Sequence, residues 1–252
     1  MSAPALEARG LVRRFGGLIA TDGVSFSVEP GARQALIGPN GAGKTTLINL
    51  LTGVVKPSAG SVFLEGEHVT ALSPSRRVRR GLSRTFQINQ LFPDLTPAES
   101  LGLAISERDG SGGDFWRVAG GKASLVAEVE ELLRRFGLED AMDQPTRTLP
   151  YGKQRLLEIA LALASRPRVL LLDEPAAGVP EEERRDILAA LAALPAEVAI
   201  LLIEHDMDLV FNFATRISVL VAGRLLCEGE PAAIAADERV RAVYLGQEFR
   251  HD

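Results

Sequence analysis

The stretch Gly38-Pro39-Asn40-Gly41-Ala42-Gly43-Lys44-Thr45-Thr46 decides the fold. It fits the phosphate-binding pattern G-x-x-x-x-G-K-[ST] at every fixed position. Residues 33–37 before it predict a short buried strand, and residues 46–51 after it predict a helix that begins at the loop. Glycines let backbone N–H groups turn toward phosphate oxygens, and the helix N-terminus adds partial positive charge. We therefore expect residues 38–46, called the P-loop below, to hold a nucleotide, with Lys44 at the β- and γ-phosphates and Thr45 on Mg²⁺.

Composition limits the class of protein. A chain of 252 residues is long enough for one large α/β domain or two small ones. The net charge of −5 argues against a nucleic-acid binder that depends on a basic surface. The single cysteine, Cys227, excludes an internal disulfide and a multi-cysteine metal site, and it favours a reducing intracellular compartment.

The sequence predicts neither a membrane-spanning helix nor a signal peptide. Its apolar runs are shorter than the roughly 18–20 residues that a spanning helix needs. Residues 1–5 lack the charged and apolar regions of a signal peptide. We therefore expect the chain to stay on the cytoplasmic side of the membrane.

The first third of the chain alternates strand-like runs with turns. Residues 6–14 and 24–28 predict strands, and residues 61–69 predict a hairpin, so we expect a small antiparallel sheet beside the phosphate site. Ser73-Pro74 predicts the start of a short helix. We expect its arginines to form a solvated face, with contact to a partner or to lipid headgroups as the alternative: Arg76, Arg77, Arg79 and Arg80.

Residues 90–165 are expected to be mostly helical. Thr96 and Glu99 form a capping box around Pro97, and Ser124 is expected to cap a second helix. The apolar face of that helix is Leu125, Val126, Val129, Leu132, Leu133 and Phe136. From residue 168 strands and helices alternate. Together, these strand and helix patterns predict an α/β fold in one domain, residues 1–252. It has a P-loop NTPase core with a mostly parallel sheet flanked by helices, an antiparallel β-subdomain and an inserted helical subdomain at about residues 90–165.

Two carboxylates follow an apolar run at residues 169–172. Acidic groups just past the C-terminal end of a parallel strand lie where an α/β sheet places its ligand site. Asp173 is expected to hold Mg²⁺ through water, and Glu174 to polarise the attacking water.

Gln87 and His205 add two single-residue motifs to the P-loop and the two carboxylates. With the P-loop and Asp173-Glu174-Pro175, their order along the chain resembles that of the ATP-binding cassette (ABC) ATPases. The resemblance implies that Gln87 touches Mg²⁺ or the lytic water and senses the transport partner. It implies that His205 contacts the γ-phosphate of ATP.

The family's Leu-Ser-Gly-Gly-Gln signature maps onto Leu149-Pro150-Tyr151-Gly152-Lys153, and here the chain departs from the pattern. In the family this segment begins a helix that faces the γ-phosphate of a second subunit's ATP. Pro150 replaces the serine whose hydroxyl binds that phosphate, but backbone N–H groups and the helix dipole can still face it. Tyr151, Gly152 and Lys153 are therefore candidate nucleotide contacts, with Lys153 as a source of positive charge. The following D-loop, Ala177-Gly178-Val179-Pro180, also has proline where aspartate is usual.

Longer segments resemble the ATP-binding subunits of branched-chain (hydrophobic) amino acid importers. They are residues 15–17, 84–87, 91–96, 151–160, 173–178 and 242–246. Phe15 resembles the aromatic residue that stacks on adenine, although a place in the core is the alternative for any phenylalanine.

The resemblance implies a motor subunit that binds Mg-ATP, hydrolyses the ATP and drives a membrane permease. Two subunits, a homodimer or a pair with a paralogue, would sandwich two nucleotides at the cytoplasmic face of the cell membrane. A solute-binding protein on the outer side is implied as an indirect partner, and nucleic acid is not. Branched-chain or related hydrophobic amino acids are the expected solutes, with urea, amides and aromatic acids as alternatives.

Three other functions compete with this interpretation. A soluble cassette that acts on ribosomes or DNA usually carries two cassettes or a long coiled-coil insert, and this sequence has neither. A GTPase needs an Asn-Lys-x-Asp segment, which the sequence lacks. A cassette that binds nucleotide without hydrolysing it is disfavoured by the presence of Glu174 and His205.

Overall fold

The computed structural model describes residues 3–85, 91–110 and 123–248. The chain divides into two compact units. Unit 1 comprises Met1–Leu82, Arg168–Glu174 and Ala196–Asp252, and unit 2 comprises Ser83–Pro167 and Pro175–Pro195.

The regular elements of the described residues are numbered in chain order. The strands are β1 (Leu6–Phe15), β2 (Leu18–Val28), β3 (Arg33–Ile37), β4 (Ala59–Leu64), β5 (Glu67–His68), β6 (Leu82–Arg84), β7 (Val169–Asp173), β8 (Ala199–Ile203), β9 (Arg216–Val221) and β10 (Arg224–Gly229). The helices are α1 (Lys44–Thr52), α2 (Pro74–Val78), α3 (Pro97–Arg108), α4 (Ala123–Arg135), α5 (Tyr151–Ala164), α6 (Glu181–Ala192), α7 (Met207–Phe213), α8 (Pro231–Ala236) and α9 (Glu238–Glu248).

A small antiparallel sheet forms from the first strands of the chain, in the order β2-β1-β4-β5. Leu6, Ala8 and Leu11 of β1 are buried. Side chains of a strand point alternately to its two faces, so one face of the sheet covers the core. This confirms the expected antiparallel sheet, although β2 begins at Leu18 rather than at Val24.

A second sheet has the order β10-β9-β3-β8-β7-β6. Its strands β7, β8, β3 and β9 run parallel, and β10 pairs antiparallel with β9. Every residue of β7 and β8 is buried, as in parallel sheets covered on both faces. Because β3 and β7 run parallel, the P-loop after β3 and the carboxylates at the end of β7 leave the same edge of this sheet.

Apolar side chains cover both faces of the second sheet in unit 1. On one face Leu36 of β3 belongs to the same buried cluster as Leu47 of α1 and residues of the small sheet. On the other face Ile37 packs in a cluster with Val210 of α7 and Val240 of α9. The strand that leads into the P-loop is therefore fixed from both sides.

Unit 2 is helical in its described part. The capping box at the start of α3 is confirmed, because the Thr96 side chain accepts the Glu99 N–H and the Glu99 carboxylate accepts the Thr96 N–H. The expected apolar face of α4 is buried at Leu125, Val129, Leu132, Leu133 and Phe136.

Several local expectations were wrong. Ser124 lies inside α4 and does not cap it, and Val126 of the expected apolar face is exposed. Arg77 is buried rather than solvated, because its guanidinium bonds to backbone carbonyls. By contrast, helix α5 begins at Tyr151 with Pro150 as its N-cap, which agrees with the expected helix start in the segment 149–153.

No helix within the described ranges combines the length and the apolar character needed to cross a bilayer.

Candidate functional site

The P-loop joins β3 to α1 through a tight backbone path. Gly43 is the N-cap of α1 and has a φ of 102°, a left-handed conformation that favours glycine. A Cβ at this position would overlap the carbonyl oxygen of Ala20 on β2. Since glycine has no capping side chain, the first N–H groups of α1 are left for an anion at the helix N-terminus.

Lys44, the first residue of α1, turns back over the loop. Its ammonium donates hydrogen bonds to the carbonyls of Gly38 at 2.6 Å and Pro39 at 3.1 Å. Burial lowers the pKa of this ammonium, and the carboxylates of Glu174 and Asp173 oppose that effect. The lysine and the two acids therefore share one electrostatic environment.

Asp173 ends β7, and Glu174 follows it with a different backbone conformation. Asp173 is the last residue of the strand and is buried. Glu174 has a φ of 48°, which is uncommon for a residue with a side chain, and its N–H donates to the Ile203 carbonyl at 2.9 Å. Strained backbone of this kind is concentrated at functional sites, because it aims a side chain that regular structure would direct elsewhere.

His205 follows β8 and lies beside Glu174. The distance from Nδ1 of His205 to Oε1 of Glu174 is 3.8 Å, and the His205 side chain is 66% exposed. The geometry therefore brings the expected base and the expected switch histidine together at one sheet edge, with an open face toward solvent.

Sequence reasoning missed Glu204, whose side chain is only 1% exposed. Its Oε2 accepts the N–H of His205 at 3.0 Å and the N–H of Asp206 at 3.4 Å. Asp206 in turn caps α7 by accepting the Leu209 N–H. Glu204 thus fixes the turn that carries His205. A charged residue directly after an apolar strand was the available signal.

A second missed support is the β9–β10 turn. The N–H of Gly223 donates to the carbonyl of Ala42 in the P-loop at 2.9 Å, and the Gly223 carbonyl accepts the Asp22 N–H. The Arg224 guanidinium pairs with the Asp22 carboxylate at 2.6 Å. The middle of the P-loop is therefore tied to the β9–β10 hairpin, and through that turn to β2.

Phe15 lies at the end of β1 and is 45% exposed. The Arg13 guanidinium stacks on its ring, 4.4 Å from the ring centroid. The ring is therefore available on the surface of unit 1, and the alternative of a core phenylalanine is wrong.

The residues expected to hold Mg²⁺ suit this ion. Thr45 and Asp173 offer hard oxygen ligands, and protein-bound Mg²⁺ is usually held by one or two carboxylates together with phosphates and water. In the described part of the chain, no group of three or more His, Cys, Asp or Glu residues could hold a metal ion.

The signature segment lies in unit 2, at the start of α5. Pro150 is the N-cap, and the N–H of Gly152 donates to the Glu183 carboxylate at 2.7 Å. Lys153 pairs with Asp140, 2.6 Å from its Oδ2, and this contact lowers the pKa of the Asp140 carboxyl. The Tyr151 hydroxyl accepts a hydrogen bond from Arg155 at 2.7 Å. Gln87 lies outside the described residues.

Comparison with protein families gives two matches. Residues 21–177 match the model of the ABC transporter family. Residues 224–250 match a model described as branched-chain amino acid ATP-binding cassette transporter.

The chain is also similar to characterised proteins over nearly its whole length. The ATP-binding protein BraF of high-affinity branched-chain amino acid transport in Pseudomonas aeruginosa is 40% identical, over 98% of this chain and 100% of the relative. LivG of Escherichia coli K12, with the same description, is 39% identical over the same shares. The crystal structure of the ADP conformation of an ABC-transporter ATP-binding cassette has a TM-score of 0.83 and 31% identity, covering 97% of this chain and 100% of that one. The chain therefore belongs to the ABC transporter family, as an ATP-binding subunit of the branched-chain amino acid transporter type.

Proposed function

We propose that the chain is the ATP-hydrolysing motor subunit of an ABC importer for branched-chain or related hydrophobic amino acids. The observation that carries this proposal is the grouping of candidate residues at one edge of the parallel sheet in unit 1. The P-loop, Asp173, Glu174 and His205 all lie at this edge. Similarity to BraF and LivG supports the choice of solute. Importers of urea, amides or aromatic acids remain the alternative.

Each residue at this edge has a proposed role. N–H groups of the P-loop and the Lys44 ammonium bind the phosphates, and Phe15 stacks on adenine. Thr45, Asp173 and Gln87 hold Mg²⁺, which neutralises phosphate charge when bound. Glu174 accepts a proton from the attacking water, and His205, fixed by Glu204, contacts the γ-phosphate.

The proposed functional form is a dimer with a second copy or with a paralogous ATPase subunit. In it the α5 N-terminus of each subunit, from Tyr151 to Lys153, closes over the nucleotide on the P-loop of the other. We treat residues 1–252 as one nucleotide-binding domain, in which the helical region at about 90–165 receives a permease segment at the cytoplasmic face of the membrane. A solute-binding protein would act on the permease from the other side.

The experiment that tests this proposal is ATP-dependent dimerisation of Glu174→Gln. Blocked hydrolysis traps bound ATP, so the variant should change from monomer to dimer with Mg-ATP and stay monomeric with ADP, as measured by light scattering after size exclusion. Glu29→Gln, an exposed carboxylate on unit 1, is the control and should not accumulate a dimer. A second sample also contains the paralogous ATPase subunit. If Glu174→Gln stays monomeric with Mg-ATP both alone and with the paralogue, the dimeric motor is contradicted.

A further inference from the structure

A carboxylate from α6 occupies the start of α5 within unit 2. Oε2 of Glu183 accepts the N–H of Gly152 at 2.7 Å. A Cβ at residue 152 would overlap the Glu183 carboxylate, so a larger residue there would have to shift this carboxylate. Gly152 is the glycine of the signature that the chain retains.

Glu183 replaces a missing helix cap. The first N–H groups of a helix usually receive an oxygen from a Ser, Thr, Asp or Asn side chain at the N-cap. The N-cap of α5 is Pro150, whose ring offers no acceptor. The Glu183 carboxylate supplies the oxygen from a neighbouring helix, and its negative charge is favourable at the positive end of the α5 dipole.

The same N–H group is the donor that the proposed dimer assigns to the γ-phosphate of the other subunit. Two anions cannot accept this N–H at once, and their like charges repel. We propose that Glu183 occupies the phosphate position of α5 in the single subunit and is displaced when the second subunit's ATP arrives. This inference rests on the proposed function. It implies that Glu183 raises the ATP concentration at which the dimer forms.

A groove beside the contact gives the displaced carboxylate a place to go. The groove has a volume of about 650 Å³ and is lined by Gly152, Glu183, Lys153, Arg134 and Arg135, among others. Apolar side chains such as Phe136 and Leu156 and the carboxylate of Asp186 also line the groove, and its two arginines pair with Glu131. The groove therefore gives the Glu183 side chain room to rotate away from the α5 N-terminus.

The test measures the ATP concentration at half-maximal dimerisation in the Glu174→Gln background. Adding Glu183→Gln replaces a charge-assisted hydrogen bond by a weaker neutral one, and adding Glu183→Ala removes the bond. We expect the ATP requirement to fall by about 5-fold for the glutamine variant and by more for the alanine variant, since charge-assisted bonds contribute about this much or more to binding. Glu182→Gln, one residue earlier in the exposed first turn of α6, removes the same charge and should change the requirement by less than about 2-fold.

The outcomes separate the inference from the proposed function. If the Glu174→Gln parent does not dimerise with ATP, the dimer itself is contradicted. If the parent dimerises and the Glu183 variants need as much ATP as the Glu182 control, or more, then Glu183 is only a structural cap and the displacement is refuted. Thermal unfolding of each variant shows how much the cap stabilises the fold, and the ATP requirement alone decides between the two roles of Glu183.

Discussion

Arg77 of α2 donates a hydrogen bond to the backbone carbonyl of Leu50 at 2.8 Å, near the end of the helix that begins at the P-loop. The same guanidinium bonds to the carbonyls of Leu51 and Thr70, and the residue is only 1% exposed. The last carbonyls of a helix lack partners within the helix, and Arg77 donates to two of them; the Leu50 carbonyl also accepts the N–H of Gly53, at the longer distance of 3.3 Å. Burial lowers the pKa of this guanidinium to about 10, and it stays charged at neutral pH.

We expect Arg77→Met to lower the free energy of unfolding by about 3 kcal/mol, because several buried carbonyls lose their donor at once. Urea unfolding followed by circular dichroism measures this. Arg76→Met, an exposed neighbour on the same helix, is the control and should change stability by less than about 0.5 kcal/mol. Equal effects of the two substitutions would refute the capping role of Arg77.

Lys44→Ala should weaken ATP binding by about 10- to 100-fold, the contribution of a charge-assisted hydrogen bond to a buried phosphate site. Titration calorimetry with ATP measures the dissociation constant. Lys56→Ala removes the same charge from an exposed position and should leave affinity unchanged. Unchanged ATP affinity in Lys44→Ala would show that the P-loop does not bind phosphate through this residue.

Glu204→Ala should lower kcat by about 10-fold or more with little change in KM, since it frees the turn that holds His205 without touching the P-loop. Steady-state ATPase assays separate the two constants. Asp208→Asn, in the first turn of α7, is the control for a lost charge nearby. A rise in KM at constant kcat would show that Glu204 acts on nucleotide binding instead.

Pro150→Ser should restore a capping side chain to α5 and stabilise the protein by about 1 kcal/mol. We expect kcat to stay within about 3-fold of the wild type, because backbone N–H groups at a helix N-terminus carry phosphate contacts by themselves. Melting temperature and ATPase rate are compared with those of Pro150→Ala, which lacks the hydroxyl. A tenfold rise in kcat for the serine variant alone would mean that the hydroxyl limits the present site.

The Arg108–Glu128 pair should give unit 2 a pH-dependent stability. Arg108 holds the pKa of the Glu128 carboxyl below its usual value of 4.5, through a hydrogen bond of 2.6 Å. A carboxyl whose folded pKa is lowered stabilises the fold above its unfolded pKa, and this stabilisation is lost as pH falls through the folded value. Glu128→Gln should therefore cost about 1 kcal/mol at pH 7 and progressively less below pH 4.5. A difference that is independent of pH would contradict the ion pair.

The chemistry at the edge of the parallel sheet was predictable because each motif there is contiguous in sequence. The P-loop pattern and Asp173 with Glu174 each carry their own local signal, and the strand ending at Asp173 is confirmed. The capping box at Thr96 in unit 2 was predictable for the same reason and is confirmed. His205 was identified only by its order relative to these motifs.

The structural features that could not be predicted from the sequence depend on contacts between segments that are far apart in the chain. The Glu183–Gly152 bond joins residues 31 positions apart, and the Arg77–Leu50 bond joins residues 27 apart. Local periodicity does not encode such pairs. It placed Arg77 on a solvated face because four arginines in one short segment usually are solvated. Glu204 was overlooked for a similar reason, since its burial follows from the packing around β8 and α7 rather than from its neighbours in sequence.

The most direct test of the central claim, that Glu174 is the base of an ATPase, is single-turnover hydrolysis with excess enzyme and radiolabelled ATP. Wild type and Glu174→Gln are compared at concentrations where both bind ATP fully. We expect the variant to release phosphate about 100- to 10,000-fold more slowly, the range of general-base catalysis, while its ATP affinity stays the same. A rate within about 10-fold of the wild type at full occupancy would contradict it.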